Sequence, residues 1–128
     1  MGEPQFTVAI VDDEESVRTA LSRLFRSAGF KAVTFGTGAD FLTTLMRHQP
    51  DCLVLDLHLP VNSGMDLLHQ LSKANIQLPT VMITGHDVPG MKERALASGA
   101  GAYLVKPLDD NVLISAVLDS IQRKLKGN

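Results

Sequence analysis

Five polar side chains sit where short apolar runs stop. Asp12 and Asp13 follow Phe6 to Val11, Asp56 lies near the end of Asp51 to Leu57, Thr84 closes Leu78 to Thr84, and Lys106 follows Ala102 to Val105. Two carboxylates about 4 Å apart repel by roughly 4 kcal/mol at an effective dielectric near 20, so three together must be protonated, splayed or neutralised. A divalent cation does this best. Oxygen donors without sulfur or a clustered histidine suit magnesium, or manganese, better than zinc. With a lysine and a hydroxyl beside it, such a cluster can receive three negatively charged phosphoryl oxygens as they arrive at an acceptor, and the acceptor would be a carboxylate.

These residues share a site only if the runs that carry them are parallel strands, because open parallel sheets place ligands beyond the carboxyl ends of their strands. The pattern predicts that arrangement. Phe6 to Val11, Lys31 to Phe35, Asp51 to Leu57, Leu78 to Thr84 and Ala102 to Val105 read as strands. Between them, Glu14 to Ala28 places Val17, Leu21, Leu24, Phe25 and Ala28 on one helical face and stops at Gly29. Thr37 caps a helix from about Ala39 to Arg47, and Ser63 with Asp66 three residues on is a capping-box signature for a helix to about Lys73. Val88 to Ser98 and Asp109 to Lys124 are the last two predicted helices. Five strand–helix units predict an α/β fold with a parallel sheet covered on both faces.

The chain has 128 residues, 45% of them hydrophobic and 20% charged, which suits a single domain, expected to occupy residues 1–128, whose core needs no disulfide. The lone Cys52 lies in an apolar run, as a core residue would, and fits a reducing, cytoplasmic compartment. Met1 to Phe6 carries no export or anchoring pattern, and no apolar run is long enough to span a bilayer. A net charge of -2 offers nucleic acid and anionic lipid no general attraction.

Taken in order, Val11-Asp12-Asp13, Leu55-Asp56-Leu57 with Pro60 and Gly64, Ile83-Thr84-Gly85-His86, Gly99-Ala100 and Lys106-Pro107 form a specific series that spans nearly the whole chain. On these motifs the chain resembles a response-regulator receiver domain of two-component signalling, most closely the nitrogen-fixation regulator (FixJ-like) subgroup. The resemblance implies a flavodoxin-like (CheY-like) sheet in the order 2-1-3-4-5 with five helices on two faces. It implies that Asp56 accepts a phosphoryl group from a histidine kinase and that magnesium is held by Asp13, Asp12, Asp56 and the backbone carbonyl of His58. Thr84 and Lys106 would bind phosphoryl oxygens, Thr84, Tyr103 and Pro107 would form the switch, and the Lys106-Pro107 bond would be cis. New bonds made only in the phosphorylated state would bias the loop that carries Thr84.

Each residue also has a plainer role. Asp12 and Asp13 could cap a helix, Tyr103 could be a core or edge residue with its hydroxyl in solvent, and Lys106 could be a surface lysine. His58 and His86, each two residues beyond a site residue, are expected to set the lifetime of the phosphorylated state, whereas His48 and His69 read as surface residues. The last helix has more apolar positions than one sheet-facing stripe needs, and in this family the surface of helix four, strand five and helix five often pairs two receivers, so a phosphorylation-dependent homodimer is expected. A dehalogenase-like phosphatase would need an acid where His58 stands, and a flavodoxin-like phosphate loop would not read Asp-Asp-Glu-Glu. A receiver that is never phosphorylated would lack part of the polar set, which is complete here. In a longer protein of this subgroup a helix-turn-helix domain would follow Gly127-Asn128.

Overall fold

The structure is a computed structural model that describes residues 5–127, so the reading of Met1 to Pro4 lies outside the described residues. Strands β1 (Thr7–Val11), β2 (Lys31–Phe35), β3 (Cys52–Asp56), β4 (Thr80–Thr84) and β5 (Ala102–Val105) alternate with helices α1 (Glu15–Ser27), α2 (Gly38–Leu45), α3 (Gly64–Lys73), α4 (Met91–Ala97) and α5 (Asp110–Lys126). All strand pairs are parallel, in the order β2-β1-β3-β4-β5. Because the chain begins near the middle of the sheet and reverses direction across it, the ends of β1 and β3 are neighbours. That adjacency brings Asp12 and Asp56 together.

Two apolar layers flank the sheet. Side chains alternate along each strand, so Val8, Ile10, Cys52, Val54, Val81 and Ile83 face Phe25, Leu113 and Val117 of α1 and α5. On the other face Val11, Leu53, Leu55 and Met82 pack with Phe41, Leu67 and Leu71 of α2 and α3. The central strands β3 and β4 are buried at every position, which explains their unbroken apolar sequence.

Local chemistry fixes the helix starts. Thr37 Oγ1 accepts from the Asp40 N–H at 3.1 Å, and Ser63 and Asp66 complete the expected capping box at 3.2 and 3.1 Å. Helix α2 ends at Leu45 rather than Arg47, and α4 starts three residues later than its pattern predicts. The expected span Val88 to Ser98 becomes Met91–Ala97, since Pro89 disfavours the helical conformation at Val88 and Gly90 sits at φ 86°, in the left-handed region.

Cys52 is a core residue, as expected, with no exposed surface. Burial pushes its thiol up to about 12, so at neutral pH its thiolate fraction falls about a thousandfold below that of an ordinary cysteine. Ellman's reagent is therefore expected to leave the native chain unlabelled and to label it promptly in guanidinium. Prompt labelling of folded protein would contradict the packing described for β3.

Candidate phosphoryl-acceptor and metal site

All the strand-end residues singled out by sequence meet at one edge of the sheet. Asp12 is fully buried, with Oδ1 accepting from the Glu14 N–H at 2.9 Å and Oδ2 from Lys106 Nζ at 3.1 Å. Asp56 is 3% exposed; its Oδ1 accepts from the His58 N–H at 3.0 Å and its Oδ2 lies 3.7 Å from Lys106 Nζ. Asp13 is exposed, yet one oxygen from each of Asp12, Asp13 and Asp56 falls within 4.8 Å of the others. Two buried acids and one solvent-facing acid make a cup open on one side. Hard oxygen donors at that spacing fit a divalent cation that keeps water on its open face.

Lys106 places a positive charge among these acids. Its ammonium bonds Asp12, approaches Asp56, and lies 4.0 Å from the exposed Glu14 carboxylate. Burial works against its charge, but the bond to Asp12 and the fields of Asp12, Asp56 and Glu14 outweigh it and raise the lysine above its usual value. Asp56 is displaced upward too. Burial is the main cause and Asp12 adds to it, against the His58 N–H and Lys106. A buried carboxyl beside a second buried acid favours its protonated form.

Thr84 is fully buried and keeps its hydroxyl within its own loop, donating to the His86 carbonyl and accepting from the His86 N–H, both at 3.1 Å. The same carbonyl lies 3.1 Å from His58 Nε2, and the two imidazole rings meet edge to face at 6.0 Å. His58 and His86 thus meet across adjacent loops, and the His58 N–H reaches Asp56. Lys106-Pro107 is cis, as expected. Tyr103 takes the core position of its plainer reading, at 7% exposed, but its hydroxyl donates to Asp87 Oδ1 at 2.7 Å rather than to solvent.

His48 and His69 are exposed, as expected, although His69 Nε2 lies 3.1 Å from Ser98 Oγ. Sequence reasoning missed two contributors. Arg18 donates to the Asp12 carbonyl at 2.8 Å and steadies the end of β1, and Asp87 holds Tyr103. Neither has a spacing signature, since each acts through a partner that only the fold brings near.

The arrangement defines a class. The chain belongs to the response regulator receiver domain family, whose model matches residues 8–118. Among curated proteins it is 42% identical over 120 residues to Nodulation protein W of Bradyrhizobium diazoefficiens, covering 93% of this chain and 52% of that protein. It is 39% identical over 113 residues to the transcriptional regulatory protein FixJ of Rhizobium meliloti, covering 88% of this chain and 55% of that protein. The chain therefore spans about half the length of these relatives. The crystal structure of FixJ-N superposes with a TM-score of 0.86 at 34% identity, covering 94% of this chain and 96% of that one. The Francisella response regulator 1452 receiver domain gives 0.88 at 27%, covering 94% and 99%. The expected family, its FixJ-like character and the 2-1-3-4-5 sheet are thus all found. Receiver domains of this family are signalling domains that work with histidine kinases. No helix among the described residues is long and apolar enough to cross a membrane.

Proposed function

We propose that Asp56 accepts a phosphoryl group from a histidine kinase in a magnesium-dependent reaction, and that the resulting change controls an output, transcription being the output the relatives' names suggest. One observation carries this reading: a single ammonium, Lys106 Nζ, stands 3.1 Å from Asp12 and 3.7 Å from Asp56 inside a three-carboxylate cup. Asp12, Asp13, Asp56 and the His58 carbonyl would hold magnesium, which when bound neutralises the acids and an incoming phosphoryl oxygen.

The chain's own groups do the rest. A carboxylate oxygen of Asp56 forms the new bond to phosphorus as the donor's bond breaks, and the pair of electrons leaves with the donor. The His58 N–H fixes the orientation of that carboxylate. Lys106, already raised and charged, turns from Asp12 to a phosphoryl oxygen, and Thr84 gives up the His86 carbonyl to bond another. Thr84 thereby draws its loop toward the acceptor, while His58 and His86 govern the approach of hydrolytic water. The domain occupies residues 1–128, acts in the cytoplasm, and turns over no metabolite beyond its own phosphorylation and dephosphorylation.

Intact-mass measurement after incubation with acetyl phosphate tests the reading. A gain of one phosphoryl group only when magnesium is present is the expected result. No adduct in folded protein under either condition would leave an interaction module in which the acids serve structure alone.

The exposed side chains of Leu96 on α4, Val105 on β5 and Val112 on α5 support a phosphorylation-strengthened homodimer through those elements. Sedimentation is expected to show a heavier species once the adduct forms. Monomer in both states would remove the dimer from this proposal.

A further inference from the structure

Asp13 differs from the other two acids of the cup. Oxygens of Asp12 and Asp56 are held by the Glu14 and His58 N–H groups and by Lys106, whereas the Asp13 carboxylate is exposed and takes no hydrogen bond among the described residues. Its direction is therefore set by the peptides on either side of it. The peptide after Asp13 is held by the Asp12 side chain, whose Oδ1 accepts the Glu14 N–H at 2.9 Å. The peptide before it lies just past the ladder between β1 and β2, which ends with the Asp12 N–H donating to the Phe35 carbonyl at 3.1 Å. Beyond that bond the Asp12 carbonyl has no backbone donor among the described residues. Arg18 Nη1 takes it instead, at 2.8 Å.

Arg18 is itself well anchored for this. Its own N–H donates to the Glu14 carbonyl at 3.1 Å, and its guanidinium reaches back from α1 over Gly36, where a Cβ would lie 3.3 Å from Nη1 and 3.6 Å from Cζ. The guanidinium is half-buried and forms no ion pair among the described residues. Its partner is a carbonyl rather than an acid, so the bond aims a peptide.

We propose that Arg18 is a positioning residue for the metal site: by holding the Asp12 carbonyl it fixes the peptide that aims Asp13, and so raises the affinity of the cup for a divalent cation. The inference rests on the reading of Asp12, Asp13 and Asp56 as magnesium ligands. Charge alone gives the opposite sign, because a guanidinium near the acids repels a cation and its removal would tighten magnesium binding. A group that orients a ligand acts the other way, and its loss typically weakens metal binding by about 10- to 100-fold.

Melting of the full chain against magnesium concentration, with no phosphoryl donor, separates the two. The melting temperature without magnesium reports packing, and its rise with magnesium reports affinity. Arg18→Met keeps the apolar stem but loses donor and charge, and is expected to need about tenfold more magnesium than native protein for the same rise. Arg18→Lys keeps the charge without the planar, two-armed donor; it is expected to be weakened as well, and it carries the test if Arg18→Met does not fold. Arg23→Met, which removes an exposed arginine from the same helix, is expected to match native protein. In an Asp13→Asn background Arg18→Met should add less than about twofold, because the ligand it aims is gone.

Magnesium binding in the Arg18 variants as tight as in native protein, or tighter, would overturn the proposal and leave the metal reading standing. A full tenfold loss that persists without the Asp13 carboxylate would overturn it too, by moving the action of Arg18 elsewhere. A native chain whose melting ignores magnesium would strike the metal reading itself, and this inference with it.

Discussion

Asp56→Asn is expected to form no phosphoryl adduct with acetyl phosphate and magnesium, a loss of at least about a hundredfold against native protein by intact mass, since covalent capture needs a carboxylate nucleophile. The substitution is nearly isosteric. Asn keeps the oxygen that accepts the His58 N–H, and Lys106 keeps its 3.1 Å bond to Asp12, so the loss would report chemistry rather than collapse of the site. A retained adduct would move the acceptor to Asp12 or Asp13.

The same variant has an expected thermodynamic signature. Burial and Asp12 hold the Asp56 carboxyl above the usual carboxylate range, so the folded chain binds that proton more tightly than the unfolded chain does. Such a group favours folding fully only below its unfolded value, and that contribution is lost as pH rises through its higher folded value. Above the unfolded value the burial of this carboxyl opposes folding, so without magnesium Asp56→Asn should melt above native protein at neutral pH. The gap should narrow as pH falls through the raised folded value toward the ordinary carboxylate value. Magnesium should narrow it as well, by binding the native carboxylates and raising the native melting temperature. Calorimetry across pH checks the sign, and a variant that melts below native protein at neutral pH would contradict the electrostatics described for the cluster.

Gly64→Ala is expected to destabilise the chain by about 3 kcal/mol, the upper range for forcing added volume into a packed site, and to lower its melting temperature by roughly 10 °C. A Cβ at Gly64 would lie 2.5 Å from the Asp56 carbonyl oxygen and 2.9 Å from the Leu57 Cα. Both are backbone atoms, so no rotamer change relieves the clash. The Gly64 N–H also donates to the Leu57 carbonyl at 2.9 Å, which fixes the start of α3 against the end of β3. Pushing the helix away displaces the strand end that carries Asp56, so adduct formation should slow as stability falls. Gly38→Ala serves as the control, since its Cβ would meet only Leu67 side-chain carbons at 3.7 Å and a helix gains up to about 1 kcal/mol from alanine over glycine. Equal melting temperatures for Gly64→Ala and native protein would refute the close approach.

The strands, the helices and the polar residues at strand ends were legible in sequence because each rests on local rules. Alternating β-branched runs, helical spacing of apolar residues, and caps such as Thr37 and Ser63 need no knowledge of distant chain. Where α4 began was misjudged although its signal was also local: Pro89-Gly90 outweighs the periodicity that continued through it. Motif order then made the family recognisable, and with it the expected strand order.

What sequence did not contain were relations between residues far apart in the chain. That Lys106 bonds Asp12, 94 positions away, that Gly64 presses on the backbone of Asp56, and that Tyr103 is buried against Asp87 all follow from strand order and helix placement. Burial is the physical reason these relations matter. Sequence placed charges at one edge of a sheet, but the packed layers on either side decided which were removed from water, and so which needed a partner.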